Sequence, residues 1–224
     1  VGSLVISATA SATFNSWATF TAAWLHNFGS LLWASTQSLQ LQRGAYLVNH
    51  AGALLTLQDA GYLNTANDGQ PNALLNSGTI RVEHVSQSPS TVYQTFALQS
   101  AASATLQLLA GATWQLQAVA QIDGAVTLAA KSSLQIGWTS SAPSQFSATS
   151  SVSGLGGLYF VYSTVTVSST TFAPASIYVD SNANLQLQAA SVCATAFTNS
   201  RWTVLGSVGF DCSATLVNSQ LLLS

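Results

Sequence analysis

Leu106-Gln107-Leu108, Val126-Thr127-Leu128, Phe146-Ser147-Ala148, Val165-Thr166-Val167 and Leu185-Gln186-Leu187 follow one another at a nearly constant interval of about 20 residues. Each triplet places Gln, Thr or Ser between two mostly apolar residues, the pattern of a short strand with one buried face. A strand that returns at a fixed interval of this size marks a solenoid, in which each coil stacks on the last. Outward from this stretch the same grammar continues. Taking the first inward residue of each rung gives Leu4, Leu31, Leu55, Ile80, Leu106, Val126, Phe146, Val165, Leu185, Val204 and Leu221, all apolar. Rungs of about 24–27 residues are expected before residue 104 and of about 17–20 after it.

A second apolar triplet follows the first at the same short offset in several rungs: Leu39 after Leu31, Trp114 after Leu106 and Leu134 after Val126. A constant offset marks two faces of one coil. Asn and Gly cluster between the faces, and all four prolines lie outside the triplets, as ladder hydrogen bonding requires. One rung cannot fold alone, because ordering each residue costs about 1–2 kcal/mol while each inward side chain returns only about 1.5–3 kcal/mol. Stacking adds backbone ladders on both sides and closes the interior. The expected fold is therefore all-β, a single-stranded parallel β-helix (β-solenoid) over 1–224, right-handed by the general rule for parallel crossovers. It reads as a piece of a longer chain, with wide rungs over 1–103 and narrow ones over 104–224.

The stretch holding Phe14, Trp17, Phe20, Trp24 and Phe28 interrupts the pattern. Its aromatic spacing of three to four allows a short helix, but its Thr and Ser content favours a wide loop or lateral bulge.

Asn76-Ser77-Gly78-Thr79-Ile80-Arg81-Val82, Gly111-Ala112-Thr113-Trp114-Gln115-Leu116 and Asp123-Gly124-Ala125-Val126-Thr127-Leu128 resemble the repeat units of right-handed parallel β-helix adhesins of the autotransporter-passenger and filamentous-adhesin type. The resemblance implies a cell-surface structural role.

Composition narrows the function. Only 4% of residues are charged and the net charge is −2, so no basic footprint for nucleic acid or an anionic membrane exists. No apolar run approaches the ~20 residues of a spanning helix. Two cysteines and little Lys or Glu suit an extracellular or cell-surface location.

Chemistry-bearing residues are sparse. Asp59, Asp68, Glu83, Asp123, Asp180 and Asp211 are scattered, with no two at one offset of adjacent rungs, so no catalytic residue is assigned. Arg81, Glu83 and His84 form the densest polar cluster and read as a solvated ion pair. His26, His50 and His84 lack the spacing of metal ligands, and neither metal nor cofactor is expected. Cys193 and Cys212 share the same offset from an inward position, which stacks them on neighbouring rungs; a disulfide and two buried thiols both fit.

The outward row of the first strand starts with Val5 and Leu32 and ends with Leu205 and Leu222, with mostly uncharged polar residues between. This row, or the aromatic stretch Phe14, Trp17, Phe20, Trp24 and Phe28, is the candidate surface for lateral packing. The expected function is a non-catalytic building block of an extracellular fibre, stalk, sheath or adhesin, whose partners are further copies or other fibre proteins. The alternative is a carbohydrate-active or carbohydrate-binding β-helix of the pectin-lyase-like kind, with Trp17, Trp24 or Trp138 stacked on sugar rings.

Overall fold

In the computed structural model the chain winds as a parallel β-solenoid with three sheets, each receiving one strand per turn. The structure describes residues 2–34, 38–59, 61–66, 69–85, 91–138, 143–169, 171–180 and 182–188, and beyond them the backbone of the strands at 191–192, 196–198, 201–205, 209–210, 215–217 and 220–223. Side chains are described through residue 187. Among these residues there is no helix, and hence none long and apolar enough to cross a membrane.

The first turn supplies β1 (Gly2–Ile6), β2 (Ser11–Phe14) and β3 (Ala18–Thr21), and the second β4 (Ala23–Asn27), β5 (Ser30–Trp33) and β6 (Ser38–Gln42). β1 and β4 open the first sheet, β2 and β5 the second, β3 and β6 the third, and all pair in parallel. The aromatic stretch is therefore neither loop nor helix but strands and corners. Thr, Phe and Trp suit a pleated, half-buried surface, and the three-to-four spacing arises because each strand is so short.

Leu31, Leu55, Ile80, Leu106 and Val126 stack directly on one another in the second sheet, as the repeat predicts. The column then continues through Val152 and Phe172, not Phe146. Phe146 and Val165 belong to the first sheet, where Phe146 pairs with Val167 and Val165 with Leu185. At the start, Leu4 pairs with Leu25, and Leu31 pairs with Ala12. Inward triplets of different sheets are chemically alike. The rung from Val126 to Val152 is longer than the one from Leu106 to Val126, so a strict step of about 20 residues from Val126 lands on the first sheet.

One continuous first-sheet column runs Ile6, Asn27, Asn49, Asn76, Ser100, Ile122, Phe146, Val167, Leu187, Val204, Leu223. Along it Asn27 and Asn49 lie 22 residues apart, whereas Asn49 and Asn76 lie 27 residues apart. From Phe146 onward the first-sheet rungs are about 17–21 residues long, whereas the long rung from Val126 to Val152 lies inside the stretch expected to hold narrow ones. The earliest rungs are shorter than expected because Leu4 and Leu31, read as successive rungs, sit on different sheets.

The interior is aliphatic with aromatic fillers. Trp114, Phe146, Phe160 and Phe172 are fully buried, and Phe146 from the first sheet meets Phe160 of the third at 6.5 Å and Phe172 of the second at 5.5 Å, both edge to face. Four members of the first-sheet column are polar. Asn27 Nδ2 donates to Asn49 Oδ1 at 2.8 Å, Asn49 Nδ2 to Asn76 Oδ1 at 2.8 Å, and Asn76 Nδ2 to Ser100 Oγ at 3.4 Å. These amides also reach the backbone: Asn27 and Asn49 donate to the carbonyls of Leu54 and Thr79, each at 3.0 Å. A buried polar column is stable only when satisfied in this way.

Backbone approach at the corner before the second sheet demands glycine. A methyl on Gly124 would lie 2.2 Å from the Ala104 carbonyl oxygen of the neighbouring turn, and Gly29 and Gly78 face equivalent carbonyls.

Candidate functional site

The outward surface carries little charge. Among the described residues Arg43, Asp59, Asp123, Lys131 and Asp180 sit between strands, whereas Arg81, Glu83 and Arg201 are the charged residues within them. The third sheet carries an uncharged row, Tyr62, Tyr93, Gln115, Gln135, Tyr159 and Tyr178, each paired with the next, in which Gln115 is buried and the others reach the surface. Tyr62 stacks on Tyr93 with ring centres 5.0 Å apart, and Tyr159 lies 5.7 Å from Tyr178.

A second feature lies on the outer face of the first sheet, on β4 and on β7 (Tyr46–Asn49), with the corner residues that follow them. Trp24, His26 and Phe28 project from one rung, Tyr46 and His50 from the next. Trp24 packs against Tyr46 at 4.7 Å and against His26 at 5.6 Å, and Phe28 stacks face to face on His50 at 3.7 Å. His26 Nδ1 and His50 Nε2 lie 3.0 Å apart, and the ring centres are 5.3 Å apart with planes inclined by 27°. Those values describe two imidazoles joined nitrogen to nitrogen, nearly in line, as one N–H···N hydrogen bond. The His50 pKa is lowered from its ordinary value of 6.5, first by burial and then by the neighbouring charge of His26. Local spacing carries no sign of this pair. The signal that could have found it is the rung length itself, since His26 and His50 are 24 residues apart, the same separation as the stacked Leu31 and Leu55.

The other expected site residues are dispersed. Phe14 and Phe20 are half-buried against the core, where Phe14 meets Trp33 at 5.5 Å and Phe20 at 6.2 Å. Trp17 is 69% exposed, Val5 56% and Phe28 41%. Val5 lies on the first sheet and Leu32 on the second, so the outward row read from the sequence divides between two faces. Leu205 and Leu222 belong to first-sheet strands whose side chains lie outside the described residues, as do Cys193 and Cys212. Trp24 has one ring face against Tyr46, whereas Trp138 is 49% exposed.

The polar cluster is rearranged from expectation. Glu83 accepts from Gln58 Nε2 at 3.3 Å, Arg81 Nε is buried with no hydrogen-bond partner, and His84 Nδ1 lies 3.7 Å from Asp59 Oδ1, an ion pair when His84 is protonated. Residues two apart on a strand share a face but stand about 7 Å apart, so the cross-rung neighbour is nearer than the expected partner. Asp59 also accepts from the Val85 amide at 3.0 Å. A shallow cavity of about 290 Å³ opens on the first sheet among Ser77, Gln99, Gln121 and Asp123. Asp123 Oδ1 is buried there without a partner, while Gln121 reaches Oδ2 at 3.4 Å.

No family model matches the chain, and neither curated proteins nor solved structures provide a match.

Proposed function

We propose that this chain is a non-catalytic structural protein, a rigid segment of an extracellular fibre, stalk, sheath or adhesin that assembles through its uncharged outer faces. The observation that carries the reading is the third-sheet row from Tyr62 to Tyr178, uncharged throughout and in register on a parallel sheet. With its rungs spaced about 4.8 Å apart, the exposed members, two tyrosine pairs and Gln135 on either side of the buried Gln115, place no charge in the way of a second copy. Apolar exposure at Val5, Trp17 and Phe28 adds further contact surface. Sedimentation velocity at neutral pH tests the proposal. Concentration-dependent association supports it, and a monodisperse monomer across the concentration series contradicts it.

Carbohydrate binding is the second reading, favoured by one feature. Trp138 and Tyr162 follow paired third-sheet strands on successive rungs and are 49% and 58% exposed. Both adopt left-handed backbone, at φ 89° and 51°, unusual for bulky residues. Free aromatic faces at one corner suit sugar rings. Retention on a panel of insoluble polysaccharides, lost on Trp138→Ala, would support this second reading over the first.

A further inference from the structure

We propose that His26 and His50 form a two-imidazole site for a divalent late transition metal, with copper(II) the best fit. Their facing nitrogens are already 3.0 Å apart. Two cis ligands on such a metal, at about 2.0 Å per bond, are separated by about 2.9 Å. Tilting both rings out of line, so that the lone pairs converge beside the N···N axis, converts the hydrogen bond into a chelate without moving either strand.

Neighbouring rings limit that motion to a tilt. Phe28 covers one face of His50 at 3.7 Å, and Trp24 lies against His26 at 5.6 Å. The strands are fixed as well, since β4 and β7 pair in parallel and His50 donates its amide to the Asn27 carbonyl at 2.9 Å. The backbone of the ligand set therefore needs little ordering on binding, and the cost falls on turning the two rings and breaking their hydrogen bond.

The ligand chemistry selects the metal. Among the described residues no three or more His, Cys, Asp or Glu side chains converge, so water completes the coordination sphere. Two imidazoles with open positions suit the tetragonal geometry of copper(II) or nickel(II), whereas calcium and magnesium prefer oxygen ligands. No net proton is released. Whichever ring donates the present hydrogen bond passes that proton through water to its other nitrogen, and both imidazoles ligate in the neutral form.

The test is titration of the intact chain with copper(II) at pH 7.5, followed by electron paramagnetic resonance and by proton NMR of the three histidines. One equivalent should give a spectrum with two coordinated nitrogens and broaden the His26 and His50 ring signals before those of His84. His26→Gln or His50→Gln should each weaken binding by at least about tenfold, the least that a perturbed metal site commonly loses, and His84→Gln should leave it unchanged. Broadening centred on His84, or equal affinity in the His26→Gln/His50→Gln double variant, overturns the proposal. The wild-type NMR result decides by itself if a variant fails to fold.

Discussion

Asn27 and Asn49 meet on successive turns inside the solenoid, amide nitrogen to amide oxygen at 2.8 Å, and Asn49 repeats the same bond to Asn76 on the next turn. Both groups are fully buried, so the column fixes which rung lies over which in a first sheet whose outer face is otherwise variable. Asn49→Ala should destabilise the chain by about 1–3 kcal/mol for each buried group left unsatisfied. Asn49→Asp should cost more, because a carboxylate oxygen would then face the Asn76 oxygen and the Thr79 carbonyl. Urea midpoints of the two variants check the order; a harmless Asp substitution would contradict the bonding described.

Gly124 should tolerate no side chain. A methyl 2.2 Å from the Ala104 carbonyl oxygen forces two turns apart, and Gly124→Ala should lower stability by about 1–3 kcal/mol, as overpacking does. Gly2, with nothing within 4 Å of the same added atom, is the control and should accept alanine without loss. Thermal melts of the two variants make the comparison.

Phe146 joins all three sheets through its contacts with Phe160 and Phe172. Phe146→Ala should cost about 3–5 kcal/mol by leaving a cavity that the backbone ladders cannot collapse. Phe146→Leu should recover most of that loss in the same denaturation experiment.

The His50 titration has a defined sign. Its folded pKa lies below the unfolded 6.5, so below that value the unfolded chain binds the proton more readily than the native one. His50 therefore contributes stability above pH 6.5 that is lost as pH falls through the lowered native value. The groups placed against it are His26, which disfavours its charge, and the uncharged Phe28. An NMR midpoint below 6.5, moving upward in His26→Gln, is expected. A midpoint at or above that value would contradict the assignment.

The parallel coil is legible in the sequence because burial imposes a period of two on every strand and stacking imposes a rung length. Leu31 to Val126 fall in one column for that reason. The repeat loses phase at Phe146 because the rung from Val126 to Val152 is longer than the one before it and an inward triplet looks the same on any sheet. The asparagine column is hidden behind unequal rungs of 22, 27 and 24 residues, although Asn27 and Asn76 each precede a glycine by two positions. His26 and His50 have no local spacing to betray them, yet a solenoid converts a separation of one rung into contact. Arg81 and Glu83 fail as a pair for the converse reason, since across-rung neighbours lie closer than residues two apart along a strand.

Assembly is the claim on which the functional account rests, and images of the purified chain at rising concentration test it most directly. Ten to eleven strands per sheet at about 4.8 Å make a rod about 50 Å long, small enough to tell from any assembly. Rods packed side by side or joined into filaments at neutral pH, dispersed when Tyr93 and Tyr159 are both replaced by lysine, are the predicted result. Isolated rods at every concentration, unchanged by those substitutions, would contradict the account.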